Sequence, residues 1–339
     1  MSWIKALLVR LIGYGFIAGV FGLLLVFLIA PVSVYLNHAD IKTDNDFLKR
    51  VKNLTYPYVR NMWNSQRECV SLDPVVVYKP AVGPCTFKNA EFDTVLTFAD
   101  TGRVHPGLEA SGPPIAVIGD SHAMGWGVGD KQTFSYLLEQ HTQRPVYNLG
   151  VGSYATERSL RRLVQLPDFE SVKTIILQYG DNDLAENQNF PIDSAHWVDV
   201  FEQKFSEGDL RERSYFEKLR FAYPLVTTEL LQRVGQIPLG LLGFETGEEA
   251  APPVDHSGPL EAVLNAFSSE LAGRQIILFY ANGHGVQIED LDVTLDAPEA
   301  TLTYIDLGLD PDQHFFDLDD HLNAAGHRHI AERLIASFF

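Results

Sequence analysis

The chain has 339 residues, 46% of them apolar and 21% charged, proportions that exclude wholesale disorder and suit one large domain or two modest ones. The formal net charge is −18, and because only Lys5 and Arg10 are charged in the first 36 positions, the remainder sets 24 basic against all 44 acidic residues, a net −20. A surface this anionic repels nucleic acid, which excludes DNA or RNA as a partner and otherwise serves solubility.

Residues 11–36 contain no charged side chain and run from Phe16 to Ala30 as almost unbroken apolar text. As a helix this segment spans roughly 39 Å at about 1.5 Å per residue, more than the roughly 30 Å of bilayer hydrocarbon, so one transmembrane anchor is predicted. Trp3, Tyr14 and Tyr35 lie near its ends, where amphipathic rings favour the interface. A cleaved signal peptide needs a shorter apolar core and a small-residue cleavage site, whereas here Pro31 follows Ala30. Lys42, Lys49, Arg50 and Lys52 follow the segment, so a bare count of positive residues does not favour export. A long folded domain translocates largely regardless of its charge, however. The N-terminus is therefore expected in the cytoplasm and the bulk of the chain in a periplasmic or extracellular space.

Residues 37–112 read as a juxtamembrane helix and a small β-rich connector. Thr43 to Asp46 resembles a helix N-cap leading into Phe47–Leu54, and Glu91–Phe98 alternates in part between polar and apolar side chains. Cys69 and Cys85 lie here. In an oxidising compartment they would close a disulfide, worth about 3 kcal/mol for a loop near 15 residues; two buried free thiols are the alternative. Two cysteines with no neighbouring histidine pair do not make a zinc site.

From residue 113 to 339 short apolar runs alternate with helical stretches. Ile115–Ile118, Val146–Leu149, Thr174–Tyr179, Gln275–Tyr280 and Thr303–Asp306 suit strands buried on both faces of a parallel sheet. Thr133–Gln140 and Glu157–Val164 fall between them as helices, predicting a doubly wound α/β sheet of about five parallel strands that binds ligands at its carboxyl ends. Residues 190–260 interrupt this rhythm with mostly helical text and are expected to cap those strand ends. Gly247–Pro253 reads as a linker. The C-terminal stripe of Ile330, Leu334, Ile335 and Phe338 marks a core-facing helix.

Four segments carry chemistry together. Gly119-Asp120-Ser121-His122 follows a strand, so Ser121 can sit on a tight turn as a nucleophile in need of a base. Asn148-Leu149-Gly150 ends the next strand, where glycine lets a backbone N–H face a ligand. Gly180-Asp181-Asn182-Asp183 ends the third, and the Asn182 amide is a neutral donor suited to an oxyanion. Asp317-Leu318-Asp319-Asp320-His321 precedes the last helix and supplies a base beside several carboxylates that could orient it. Each segment alone is an ordinary turn. Three of them at consecutive strand ends are not. None of these roles calls for a cofactor or a metal. Gly125–Gly129 misses the spacing of a dinucleotide loop, and His327 and His329 point to different faces of a helix and so form no cation site with His321.

In this order the four segments resemble the blocks of the SGNH (GDSL-like) hydrolases, over roughly residues 113–339. The resemblance implies a flavodoxin-like three-layer α/β/α sandwich, here preceded by the transmembrane helix. It implies Ser121 as nucleophile, His321 as base, and an oxyanion hole from the N–H groups of Ser121 and Gly150 with the Asn182 side chain. The family's common acidic residue lies three places before the histidine, where this chain has Leu318; related members use the place two before, Asp319, with Asp317 and Asp320 as competitors. Ala123 stands where an α/β-hydrolase elbow has its second glycine, which disfavours that fold. The activity implied is hydrolysis of an ester-linked acyl group on a carbohydrate or lipid. The alternatives are acyl transfer in envelope polysaccharide modification and a non-catalytic glycan-binding assembly factor.

Overall fold

A computed structural model describes residues 27–43, 45–206, 214–241, 255–281 and 291–339. The chain divides into two compact units, Asn61–Asp209 with Asp255–Phe339 and Met1–Arg60 with Leu210–Val254.

Among the described residues the larger unit holds ten strands. β1 (Val70–Asp73) and β2 (Val77–Pro80) form an antiparallel ribbon. The others are β3 (Gly83–Lys88), β4 (Asp93–Ala99), β5 (Gly102–Arg103), β6 (Ile115–Ile118), β7 (Val146–Asn148), β8 (Thr174–Tyr179), β9 (Gln275–Tyr280) and β10 (Thr301–Tyr304). They make one sheet in the order β10-β9-β8-β6-β7-β5-β4-β3. Strands β6 to β10 are mutually parallel. Among themselves they stand in the order 2-1-3-4-5, that of a flavodoxin-like doubly wound sheet.

Successive side chains along these strands face opposite ways. Ala116, Ile118, Ile175, Leu177, Ile276 and Leu278 are buried with Leu160 and Leu163 of the helix Thr156–Val164 and with Leu260, Val263 and Leu264 of Ser257–Ala266. Ile115, Val117, Ile176, Ile277 and Phe279 are buried with Phe134 and Leu138 of the helix Phe134–Thr142 and with Ile330 and Leu334 of Ala324–Phe338. Two helical layers therefore sandwich the sheet, each fully buried aliphatic side chain contributing roughly 1.5–3 kcal/mol. Ile335 and Phe338 pack against the second cluster from its margin.

Two features differ from the sequence expectation. β10 starts two residues earlier than the apolar run suggests, because on this outermost strand alternate side chains are exposed. The stretch expected as a separate connector instead lengthens the sheet: β5 pairs antiparallel with β7, Arg103 opposite Asn148, and β4 and β3 follow. The free edge of β7 would otherwise present unpaired N–H and C=O groups. Cys69 and Cys85 are joined by a disulfide. A third buried cluster, including Trp63, Tyr78, Phe87, Leu96 and Phe98, reaches Met124 and Trp126 just past Ser121.

In the smaller unit residues 27–38 are helical, as is Asp46–Asn53, whose N-cap Asn45 accepts the Leu48 N–H at 3.1 Å. Tyr215, at the start of the helix Tyr215–Leu241, donates its hydroxyl to the Pro31 carbonyl at 3.3 Å. The predicted anchor lies outside the described residues up to position 26, and the predicted linker 247–253 lies outside them entirely. No helix among the described residues is long and apolar enough to cross a membrane. Residues 190–260 do not act as one piece. The helix Ser194–Ser206 belongs to the sheet unit, whereas Leu210–Val254 groups with the N-terminal sixty residues.

Candidate active site

The strand order prepares the site. β6 lies between β7 and β8, so the turn bearing Ser121 has the Gly150 turn on one side and the Asn182 turn on the other. The chain leaves β6 for β7 on one side and then crosses from β7 back past β6 to β8 on the other, and the crevice at such a reversal is where open α/β sheets bind ligands.

Gly119 begins the Ser121 turn with φ of +142°, and a Cβ there would stand 2.6 Å from Gln178 Oε1, so conformation and space both require glycine. Gln178, wholly buried on β8, accepts the N–H groups of Asp120 at 2.9 Å and Ala123 at 3.3 Å. Asp120 caps the short helix Ser121–Met124 by accepting the His122 N–H at 2.7 Å. Arg103, buried on β5, donates to the carbonyls of Met124 (2.7 Å) and Gly125 (2.6 Å) and to that of Val128, while its Nε bonds Asp130 at 3.0 Å. The turn is thus held from both neighbouring sides, and Ser121 itself remains partly exposed.

His321 comes from a loop closed by a bridge between Phe315 and Leu322, with the Phe316 N–H on the His321 carbonyl at 3.0 Å. Its Nε2 lies 2.7 Å from Ser121 Oγ. Its Nδ1 bonds Asp319 Oδ1 closely and meets Asp320 Oδ1 at 3.2 Å. Asp319 is wholly buried and Asp320 half exposed, so Asp319 holds the ring in the drier setting, where a charge acts hardest. Asp317 turns its N–H to Glu91 at 2.8 Å. Burial opposes a charge on His321, yet the adjoining Asp319 carboxylate, with Asp320 behind it, outweighs burial and pushes the imidazole up to about 9. The His122 ring lies beside it, centroids 5.0 Å apart.

Gly150 packs against the same turn: a Cβ would be 2.3 Å from Met124 N and 2.7 Å from Ala123 C. Its N–H is directed to Asn148 Oδ1 at 3.1 Å, and Asn148 in turn donates to the Ala123 carbonyl at 2.9 Å. Asn182 is exposed and donates from Nδ2 to the Tyr154 carbonyl at 2.9 Å. A Cβ on Gly180 would meet Asp120 Oδ2 at 2.9 Å and Asn182 Oδ1 at 3.1 Å, which puts Asn182 beside the Ser121 turn. Asp183 is structural: it is buried, accepts the Thr156 hydroxyl at 2.7 Å and the Gly180 N–H at 2.8 Å, and burial with the Asp120 charge raises its carboxyl well above the usual range. Burial likewise raises Asp120, to about 6.

A second serine, histidine and carboxylate meet elsewhere. His105 Nδ1 is 2.7 Å from Glu139 and its Nε2 is 3.0 Å from Ser135 Oγ. The distances resemble those at Ser121, but Ser135 is 0% exposed and also takes a hydrogen bond from Asn148 at 2.8 Å. No substrate can reach it. This set is packing, and solvent access singles out Ser121. Asp319, Asp320 and His321 bring their ligand atoms within 4.8 Å of one another, as a cation site would, although both ring nitrogens are already engaged by Asp319 and Ser121.

A cavity of about 800 Å³ opens next to Asn182, walled by Tyr78, Trp197, Phe201, Asn64 and Asn189. Arg158 in its lining is matched by Glu186 at 2.8 and 2.6 Å and stacks over Tyr154 at 4.6 Å. Sequence reasoning missed Gln178, Arg103 and Glu91. A lone glutamine within an apolar strand hints at a buried polar task, whereas nothing local marks Arg103 or Glu91.

Protein-family models and curated proteins return no match to this chain. Among solved structures, a protein assigned to the G-D-S-L lipolytic family from Desulfitobacterium hafniense DCB-2 aligns at 20% identity and a TM-score of 0.20. That alignment covers 28% of this chain and 54% of the other, so the chain spans about half the length of that relative. A single-residue variant of the esterase AlinE4 aligns at 17% identity and a TM-score of 0.21, over 47% of this chain and 94% of that one. Likenesses this low carry no functional argument, and the case for the site rests on its own geometry.

Proposed function

We propose that this chain is a serine esterase of the SGNH type, cleaving an ester-linked acyl group through an acyl-Ser121 intermediate. One observation carries the reading: Ser121 Oγ stands 2.7 Å from His321 Nε2, whose other ring nitrogen is held by the buried Asp319. A partly exposed hydroxyl in reach of an oriented imidazole is what nucleophilic acyl transfer needs. In the proposed sequence Ser121 Oγ attacks the ester carbonyl carbon as its proton passes to His321 Nε2. The carbonyl oxygen becomes an oxyanion, facing the N–H groups of Ser121 and Gly150 and the Asn182 amide. Asn182 Nδ2 keeps one hydrogen on Tyr154 and has the second for this task, while the Gly150 N–H has to be drawn off Asn148 as charge develops. His321 then protonates the departing alkoxide. Water, deprotonated by His321, attacks the acyl carbon and restores Ser121 with release of the acid.

The cavity beside Asn182 favours a neutral, hydroxylated leaving group over a long acyl chain. Its walls mix aromatic faces, including Trp197 at 45% exposure, with asparagine amides, and the charge of Arg158 is already matched by Glu186. Stacking faces beside amide hydrogen-bonding groups suit an acylated carbohydrate. Membrane anchorage through residues 11–36 belongs to the same proposal, with the sheet unit on the exported side. The described residues of the smaller unit expose Leu28 (63%), Phe47 (69%) and Phe216 (77%), side chains that an interfacial environment would cover.

Ser121→Ala tests the reading. The wild-type chain is expected to hydrolyse a short aryl ester, to release acetate from an acetylated glycan, and to be labelled covalently by a serine-directed phosphonate. The variant should lose at least about 10³-fold in turnover and all labelling. Equal labelling of the two chains would falsify the assignment of the nucleophile.

A further inference from the structure

We infer that Glu91 is a positioning residue for the Asp319–His321 pair, its carboxylate filling a cradle of three successive backbone N–H groups and so fixing where the Asp319 carboxylate stands. The inference rests on the reading of Ser121, His321 and Asp319 as an esterase relay. Glu91 Oε1 accepts from Asp317 N–H, and Oε2 accepts from Leu318 N–H and Asp319 N–H, each at 2.8 Å. Successive N–H groups converging on one point form an anion-binding nest. Here the anion comes from the chain itself, more than two hundred residues earlier. Two residues beyond the nest stands His321, so the backbone atoms that set Asp319 against the imidazole are those that Glu91 holds.

Glu91 lies at the tip of the β3–β4 hairpin, where the Asn89 N–H bonds the Phe92 carbonyl at 2.9 Å and Asn89 exchanges hydrogen bonds with Asn61. Beside it, the Phe92 ring packs on Trp126 and on Phe316, each at 5.4 Å between centroids. Trp126 follows the nucleophile turn, and Phe316 belongs to the histidine loop. The tip thus touches both halves of the relay while contributing no reacting atom. Charge makes the arrangement specific. Glu91 sits close to the Asp319 carboxylate, a repulsive pairing, and burial raises its carboxyl above the ordinary range; the three N–H bonds oppose that rise. A neutral or shorter side chain fills the nest incompletely and lets the loop relax. An active-site displacement near 1 Å can cost about 10²-fold in rate.

The test compares Glu91→Gln and Glu91→Asp with wild type in the full chain. Glutamine has one acceptor oxygen for three N–H groups and turns amide hydrogens toward at least one of them. E91Q is expected to lower kcat on an aryl acetate by about 10²-fold while KM stays within about two-fold, the pattern of a displaced relay. The far-downfield proton resonance of the His321 Nδ1–H should shift or vanish in E91Q, and E91D should restore part of both signals. A folded E91Q with unchanged kcat, or with that resonance in place, overturns the inference even if its Tm falls. Should E91Q fail to fold, a folded E91D with kcat and resonance both at wild-type values overturns it equally. The resonance needs no substrate. A wild-type chain that turns over no ester would end the esterase reading and still leave Glu91 decided.

Discussion

His321 has both ring nitrogens engaged, one on a buried carboxylate and one on the Ser121 hydroxyl, which it deprotonates in the proposed reaction. With its pKa raised to about 9, the imidazole is a cation near neutrality and has no lone pair for the Ser121 proton. The sign follows: the base is absent below the folded pKa and appears as pH rises through it. The acid limb of kcat/KM should therefore have its midpoint near 9 instead of near the ordinary histidine value of about 6.5, as a pH–rate profile on a stable ester would show. Asp319→Asn removes the main charge that raises this pKa. It should move the limb toward lower pH while lowering kcat about 10³- to 10⁴-fold, whereas Asp320→Asn, half exposed, should cost less than about five-fold. A larger loss in the Asp320 variant would reverse the two roles. Ser121 and His321 were legible because their segments carry recognisable spacing. For the acid, resemblance and local geometry favour Asp319 while leaving Asp317 and Asp320 as competitors, since three aspartates fall within four positions and burial and distance are what separate them. Glu91 left no trace in its neighbourhood because its partners are more than two hundred residues away.

Strands β6, β8 and β9 appear where their apolar runs begin and end, because burial on both faces keeps these runs almost wholly apolar, Gln178 being the polar exception inside β8. β10 was misplaced because one of its faces meets solvent. The annexation of β3 to β5 was illegible for another reason. Alternation announces a strand but not its partner, and the pairing of Arg103 with Asn148 is a long-range event. The short helix bearing Ser121 owes its position to neighbours on other elements, and Gly150 is the tightest of these. Gly150→Ala would place a Cβ 2.3 Å from a backbone nitrogen of that helix, which no flexible side chain can relieve. The expected result is a loss of roughly 1–3 kcal/mol in chemical denaturation together with a fall of about 10²-fold or more in esterase rate. Retention of full activity would mean that the Gly150 turn stands apart from the nucleophile.

Two compact units share one chain, and the smaller takes residues from both sides of the sheet unit's first stretch. That arrangement escapes a reading made in chain order, which assigns residues 190–260 to a single insertion. The proposed anchor predicts that the full chain stays with the membrane pellet after alkaline carbonate extraction and leaves it only with detergent. Recovery in the carbonate supernatant would remove the anchor from the proposal and leave the site untouched. The sheet ends at β3, whose outer side hydrogen-bonds no further strand among the described residues. Pro84 contributes no amide hydrogen to that rim and Lys88 adds a charge, two devices that discourage another copy from extending the ladder. Neighbouring molecules would therefore not, through this rim, zip into a continuous ribbon.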